Sequence, residues 1–359
     1  MSCSDWLIDA PKSAASKKAD TALFPFLMRL IRGENLSFKD SHTFFRELTS
    51  RDALPEQIAG SLVALGSKGE TFEELAGMAR TMNEQAVKLT THHKNYIDIA
   101  GTGSSPAKTF NVSTAAAFVI AGAGLAVAKH SSRAVISNTG SADVLNQLDV
   151  KIAGEPKLSQ ACLNGAGICF MFAPKFHPSL RRVGDVKRNL GIRTSLNLLG
   201  VLSNPSNAPR QILGVWHPSL VEPMAQALAL LGRTHAWVVH GSDGLDEITL
   251  AGKTRVAEVI GNKIRAFEIA PEDFGLKTSE IKKLRANSPQ ESAQIIRDVL
   301  ESNRRDEARS LVILNSAAAL IVGGKTDNPI HAARLAEQSI DSGSARIKLD
   351  RLIQTTNKK

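Results

Sequence analysis

The chain has 359 residues, 43% of them hydrophobic and 22% charged, which is enough to bury one large core beside a smaller domain and ordinary enough to be globular. Its 26 glycines and 14 prolines are scattered and no repeat of about 20 to 50 residues recurs, which excludes collagen-like, linker-rich and solenoid architectures. The formal net charge of +9 suits nucleic acid or a small polyanion such as a phosphorylated sugar, but aromatics at 5% with a single Tyr leave few stacking platforms, so a nucleic-acid partner is not expected.

Residues 1–20, rich in Ser, Lys and Ala, read as a flexible tail without an apolar core of signal-peptide length. No later run reaches membrane-spanning length without a charge, so a cytoplasmic protein with no membrane contact is expected. Phe24, Leu27, Met28 and Ile31 then recur at helical spacing with Gly33 as a stop, and Thr71 with Glu74 spells a capping box before another amphipathic run. Residues 21–92 are accordingly assigned to a small helical domain, with helices from about 180–205 packing onto it.

From Tyr96 the pattern changes to short strand-like runs alternating with helices: "YIDIA", the helix in "STAAAFVIAGAG", "LAVAK", a helix from about Ser141, "GICFMF", "ILGVW", "HAWVVH" and a long C-terminal helical stretch. The fold class predicted is α/β: a small N-terminal helical domain plus a large α/β domain over 93–359, with a mostly parallel central sheet flanked by helices and ligands at the carboxyl ends of its strands. Cys3, Cys162 and Cys169 are odd in number and fit neither a metal knuckle nor a disulfide framework, which points to a reducing compartment and buried thiols.

Three loops at predicted strand ends carry the chemistry. In "GTGSSPAKTFNVST", Gly101 and Gly103 allow close approach of backbone N–H groups, while Asn111, Ser113 and Thr114 offer donors where a helix dipole is positive. The stretch is neither a dinucleotide fingerprint nor a Walker loop, so phosphate binding and an ordinary capped turn both remain open on this loop alone. The next loop, "AKHSSRAVISNTGSAD", adds Lys129, His130 and Arg133 with Ser131, Ser132, Ser137 and Ser141, and two such neighbouring strand ends favour a polyphosphate cradle with Lys129 as its point charge. Further on, "VVHGSDGLDEITL" supplies Asp243, Asp246 and Glu247. Asp246 and Glu247 can converge only in a loop, where their oxygens suit Mg²⁺ bound chiefly through phosphates.

Several separated motifs then resemble one family in order and spacing. "KGET" at Lys68 to Thr71, "TFNVSTAAAF" at Thr109 to Phe118, "AKH" at Ala128 to His130, "GSADVL" at Gly140 to Leu145, "FAPKFHP" at Phe172 to Pro178, "LGIRTSLNLLG" at Leu190 to Gly200, Asn204 with Pro205, and "HGSDGLDEIT" at His240 to Thr249 are similar to the anthranilate phosphoribosyltransferase family, whose fold is shared with pyrimidine nucleoside phosphorylases. The resemblance implies transfer of a phosphoribosyl group from phosphoribosyl diphosphate to the amine of anthranilate in tryptophan synthesis, two Mg²⁺ ions bound with the donor, and a homodimer formed through the helical domain.

It further implies that Gly101, Thr102, Gly103, Ser104, Ser105, Thr109, Asn111, Val112, Ser113, Thr114, Lys129, Ser131, Arg133, Ser137 and Ser141 surround the phosphoribosyl diphosphate. Ser113 with Glu247 would hold one Mg²⁺ and Asp246 with Glu247 the other. The acceptor pocket would use Gly101, His130, Ser132, His177 and Lys187. The leaving diphosphate would be stabilised by Mg²⁺, Lys129 and the N–H groups around Gly101 to Ser113, and no residue is assigned as acid or base.

The chain departs from the family at several of these positions. The family's Gly-Thr-Gly-Gly-Asp is "GTGSS" here, placing Ser104 and Ser105 where it has Gly and Asp. Ser132 stands for an Asn and Lys187 for an Arg associated with the anthranilate carboxylate. Lys keeps the charge of Arg but not its two-point grip. Three readings therefore stand: the anthranilate enzyme, a paralogue using another aromatic amine, and a non-catalytic nucleic-acid-binding relative.

Overall fold

The structure, a computed structural model, describes residues 21–103, 105, 107–131 and 140–358. The tail at 1–20 and the site candidates Ser104, Ser132, Arg133 and Ser137 lie outside the described residues. In chain order the elements are α1 (Phe24–Ile31), α2 (Phe38–Leu48), α3 (Pro55–Lys68), α4 (Phe72–Glu84), β1 (Tyr96–Gly101), α5 (Val112–Gly122), β2 (Ala126–Ser131), α6 (Ser141–Gln147), α7 (Pro156–Ala166), β3 (Ile168–Phe172) and α8 (Ala173–Phe176). They continue with α9 (Arg181–Leu190), α10 (Ser195–Leu202), β4 (Arg210–Gly214), α11 (Val221–Leu230), β5 (His235–Gly241), β6 (Thr254–Ile260), β7 (Lys263–Ile269), α12 (Pro289–Leu300), α13 (Glu307–Val322), α14 (Pro329–Asp341) and α15 (Ser344–Asn357).

The chain divides into two compact units. One comprises the residues up to Gln85 together with His177–Leu199; the other comprises Ala86–Phe176 with Gly200–Lys359. By compactness the second unit begins at Ala86, and the segment that returns to the helical unit is His177–Leu199.

In the helical unit the capping box at α4 is complete. The Glu74 N–H donates to Thr71 Oγ1 at 3.2 Å and the Thr71 N–H to Glu74 Oε2 at 2.8 Å. Glu74 is fully buried, and its remaining capacity is met by the Leu36 N–H and by Lys68 Nζ, each at 2.8 Å. The "KGET" stretch is therefore a structural knot: Lys68 and Glu74 pair out of water, and Glu70 accepts from Ser195 Oγ at 2.6 Å.

The second unit is built on a seven-stranded sheet of order β3-β2-β1-β4-β5-β6-β7. The first five strands pair in parallel, and β5–β6 and β6–β7 are antiparallel. The antiparallel hairpin was not read from the sequence, although two seven-residue runs joined by Gly261 and Asn262 carry its signal, a two-residue glycine-containing turn. The core lies between sheet and helices, and α5 is its centre, with Thr114 to Ala121 all buried because a helix apolar on every side has no face to leave in water. Among the described residues no helix is long and apolar enough to cross a membrane.

Strand order decides where a ligand fits. The chain runs outward from β1 to β2 and β3, then returns to place β4 on the other side of β1, so a crevice opens beyond the carboxyl ends of β1 and β4. Gly101 and Gly214 end these two strands as partners in the ladder.

Candidate active site

The end of that crevice is occupied by the acidic loop that follows β5. A Cβ built on Gly214 would lie 1.7 Å from the Asp246 carbonyl oxygen, and one on Gly101 would lie 2.9 Å from both that oxygen and Asp246 Oδ2. The two glycines therefore form a slot, and its occupant is Asp246. The missing side chain of Gly101 makes room for Asp246. Inside the slot Asp246 Oδ2 accepts from the Gly103 N–H at 2.6 Å and from Thr102 Oγ1 at 3.2 Å, while Gly103 adopts a φ of 69° that favours glycine.

Glu247 performs the same service at the first turn of α5. Its carboxyl faces Ser113, whose hydroxyl and backbone N–H both favour the charged form. Lys129 Nζ donates in turn to Ser113 Oγ at 3.2 Å and to the Ile99 carbonyl, at the end of a side chain that is 3% exposed. A relay runs Lys129, Ser113, Glu247, with Asp246 beside it, at the positive end of a helix dipole. The N–H groups of Gly103 and Ser113, expected to face phosphate, are here held by the chain's own carboxylates.

The electrostatics follow from burial. Burial pushes the Glu247 carboxyl up to about 7, helped by the neighbouring Asp246 and opposed by Lys129 and Ser113. Burial also raises Asp246, against the Gly103 N–H and the Thr102 hydroxyl. The Lys129 ammonium is lowered by the same cause, with Asp98, Glu247 and Asp246 pulling the other way. Two buried, adjacent carboxylates offset by one buried ammonium fit a further cation. Among the described residues no group of three or more His, Cys, Asp or Glu forms a full metal cage. A hydroxyl and two carboxylates are the donor set for Mg²⁺ held largely by ligand oxygens.

The other candidates take varied places. Ser105 is 3% exposed and its hydroxyl lies 2.6 Å from the Gly244 carbonyl and 2.9 Å from that of Ala107, so it ties the glycine loop to the acidic loop. Thr109 Oγ1 donates to the Phe110 carbonyl at 3.0 Å. The Asn111 side-chain oxygen accepts from Ser292 Oγ at 2.9 Å. Thr114 is fully buried and Val112 is 1% exposed, which leaves Thr114 no side-chain surface and Val112 only its backbone to offer. Ser131 is buried at the end of β2, and Ser141 opens α6. Asp243 shapes the acidic loop, accepting from the Leu245 N–H at 3.2 Å and from Thr249 Oγ1 at 2.9 Å.

His130, the penultimate residue of β2, has Nδ1 2.8 Å from the Gly200 carbonyl, and burial holds its imidazolium below the usual range. His177 and Lys187 belong to the helical unit. There His177 is 3% exposed and precedes a short 3-10 turn, and Lys187 lies on α9 with its ammonium pushed by burial down to about 8. Sequence reasoning missed Asp98, Gln211 and Gly214, which lie at the heart of this strand-end region. The signal for Asp98 was a lone carboxylate inside the apolar run "YIDIA".

Two family models match the chain, the helical bundle domain of a glycosyl transferase family over residues 24–86 and its a/b domain over residues 93–346. An anthranilate phosphoribosyltransferase of Moorella thermoacetica is 42% identical over 91% of this chain and 96% of that protein, and one of Afipia carboxidovorans is 44% identical over 91% and 96%. Among solved structures, the Thermus thermophilus enzyme superposes with a TM-score of 0.87 at 38% identity, covering 92% of this chain and 99% of that one. The Saccharomyces cerevisiae enzyme in complex with PRPP and Mg superposes with a TM-score of 0.85 at 27% identity, covering 96% and 98%. With both domains matched in order and such identity across nine-tenths of its length, the chain belongs to the anthranilate phosphoribosyltransferase family.

Proposed function

We propose that the chain transfers the phosphoribosyl group of phosphoribosyl diphosphate to the amine of anthranilate, releasing diphosphate. The observation that carries the reading is the relay from buried Lys129 through half-buried Ser113 and Glu247, beside buried Asp246, at the N-terminus of α5 and the crevice between β1 and β4. As the bond from ribose C1 to the diphosphate oxygen breaks, negative charge grows on the leaving group. The Lys129 ammonium, the Ser113 hydroxyl and the N–H groups of Gly103 and Ser113 are the donors available to it. Ser113, Asp246 and Glu247 would hold Mg²⁺, as two ions, and the metal would supply the positive charge that neutralises the diphosphate. Asp246 and Glu247 without that charge repel a polyanion and retain its N–H partners, so donor binding is expected to require the metal.

The remaining donor contacts are proposed for Thr102, Ser104, Ser105, Thr109, Asn111, Ser131, Arg133, Ser137 and Ser141. Acceptor recognition is assigned to Gly101, His130 and Ser132 and, by resemblance alone, to His177 and Lys187. A homodimer through the helical unit and a cytoplasmic location complete the proposal. Support for the dimer comes from Ile31 on α1 and Val63 on α3, apolar side chains that are 46% and 42% exposed.

The deciding experiment incubates the protein with phosphoribosyl diphosphate, Mg²⁺ and anthranilate, with a panel of other aromatic amines in parallel. Diphosphate and N-phosphoribosyl anthranilate formed in equal amounts, fastest with anthranilate, are the expected result. Release with another amine only would replace the acceptor, and no release with any amine would overturn the activity.

A further inference from the structure

His130 is held at two separate points. Its backbone N–H donates to Asp98 Oδ1 at 3.2 Å, and its ring Nδ1 meets the Gly200 carbonyl at 2.8 Å. A carbonyl can only accept, so Nδ1 carries the proton and Nε2 is the accepting nitrogen of the neutral ring. Asp98 Oδ2 accepts from Gln211 Nε2 at 3.3 Å, and the same amide donates to the Val201 carbonyl at 2.6 Å, one peptide beyond Gly200. Asp98 thus closes a circuit through Gln211, the Gly200–Val201 segment, the His130 ring and the His130 backbone. Asn204 braces it, bonding to Asp98 and donating to the Ala128 carbonyl at 2.8 Å.

Asp98, Gln211 and Asn204 are each no more than 1% exposed. A carboxylate so far from water is costly, and an apolar side chain at the third position of β1 would pack there at less expense. The circuit returns on His130 at both ends, which gives the carboxylate an object other than stability.

We propose that Asp98 is the positioning residue for the acceptor, holding His130 in the single tautomer and orientation whose Nε2 accepts a hydrogen bond from the attacking amine. The inference rests on the transferase function proposed above. Asp98 touches no reacting atom; it acts through His130, and its separate pull on the Lys129 ammonium is read by the phosphoribosyl diphosphate KM.

The test uses the full chain with Asp98→Asn, Gln211→Met and the double variant. Steady-state kinetics are measured for each substrate, thermal melts are recorded, and the His130 tautomer is read from ¹⁵N imidazole shifts. Asn keeps the volume of Asp but turns an N–H₂ toward one of the two donors. The expected result is an anthranilate KM raised roughly ten- to a hundredfold with the phosphoribosyl diphosphate KM within about twofold, and a mixed His130 tautomer. Gln211→Met is expected to act in the same direction, and the double variant to lose no more than Asp98→Asn alone.

An anthranilate kcat/KM within about twofold of the parent, equal rises in both KM values, or additive losses in the double variant would overturn the proposal. If Asp98→Asn does not fold, Gln211→Met is judged by the same criteria. If the parent turns over another amine only, the same kinetic criteria are applied with that amine; if it turns over no aromatic amine, the transferase reading fails. The positioning role is then judged by tautomer alone, and an unchanged Nδ1–H signal in the variants refutes it.

Discussion

Replacing Gly214 by Ala puts the slot between β1 and β4 to the test. The added Cβ would sit 1.7 Å from the Asp246 carbonyl oxygen, and since real Cβ atoms do not come closer than 3.0 Å, the acidic loop must retreat by more than 1 Å. The obstacle is backbone on both sides, which no rotamer change relieves. Overpacking of this kind costs about 1–3 kcal/mol of stability. Displacing Asp246 by about 1 Å also pulls Oδ2 off the Gly103 N–H, and a shift of that size costs roughly a hundredfold in turnover.

Gly101→Ala supplies an internal comparison, because its Cβ falls only 0.1 Å short of the same limit and so demands a much smaller retreat of the Asp246 backbone than Gly214→Ala does. Gly165→Ala, in α7 with no atom within 4 Å of the new methyl, is expected to stabilise by about 0.5–1 kcal/mol. Chemical denaturation and diphosphate release measured on the three variants should rank Gly214 far below Gly101, with Gly165 at or above the parent. Parental stability and turnover in Gly214→Ala would refute the slot.

Other expectations are as direct. Lys187 has its ammonium pushed down to about 8 by burial, so it is charged below that pH and neutral above; if it binds the acceptor's carboxylate, kcat/KM for anthranilate falls as pH rises through about 8, and Lys187→Arg makes that limb flat. An unchanged profile in the Arg variant would remove Lys187 from acceptor binding. Ser113→Ala breaks the relay from Lys129 to Glu247 and should lower turnover about a hundredfold, with the melting temperature little changed. For Glu258, burial raises the carboxyl, but the Trp237 indole, His235 and Arg265 together outweigh it and hold the group below its usual value. That stability is present above the unfolded glutamate's value near 4.3 and is lost as pH falls below it, so Glu258→Gln should flatten the acid limb of a pH-dependent denaturation series.

Much of the fold was legible because it rests on local rules. The capping box of Thr71 and Glu74, the apolar run of α5 and the alternation of short strands with helices each depend on residues close in sequence, and each is present. The β6–β7 hairpin was not read from the sequence although Gly261 and Asn262 announce it, because β7 is an exposed edge strand whose charged residues break up the apolar pattern. The chemistry of the site was legible as a set of residue types: a cation, hydroxyls and paired carboxylates at strand ends.

Which group faces which was not legible. The sequence by itself determined that Gly101, Gly103, Ser113, Lys129, Asp246 and Glu247 would gather at the carboxyl edge of a mostly parallel sheet, since strand polarity and loop chemistry dictate that much. Only the tertiary structure decided that Gly101 and Gly214 leave room for Asp246, that the two acids hold the N–H groups of Gly103 and Ser113, and that Asp98 closes a circuit on His130. The reason is register. These contacts join residues far apart in the chain, and a slip of one residue between β1 and β4 would turn every side chain to the opposite face while leaving the sequence pattern of each strand unchanged.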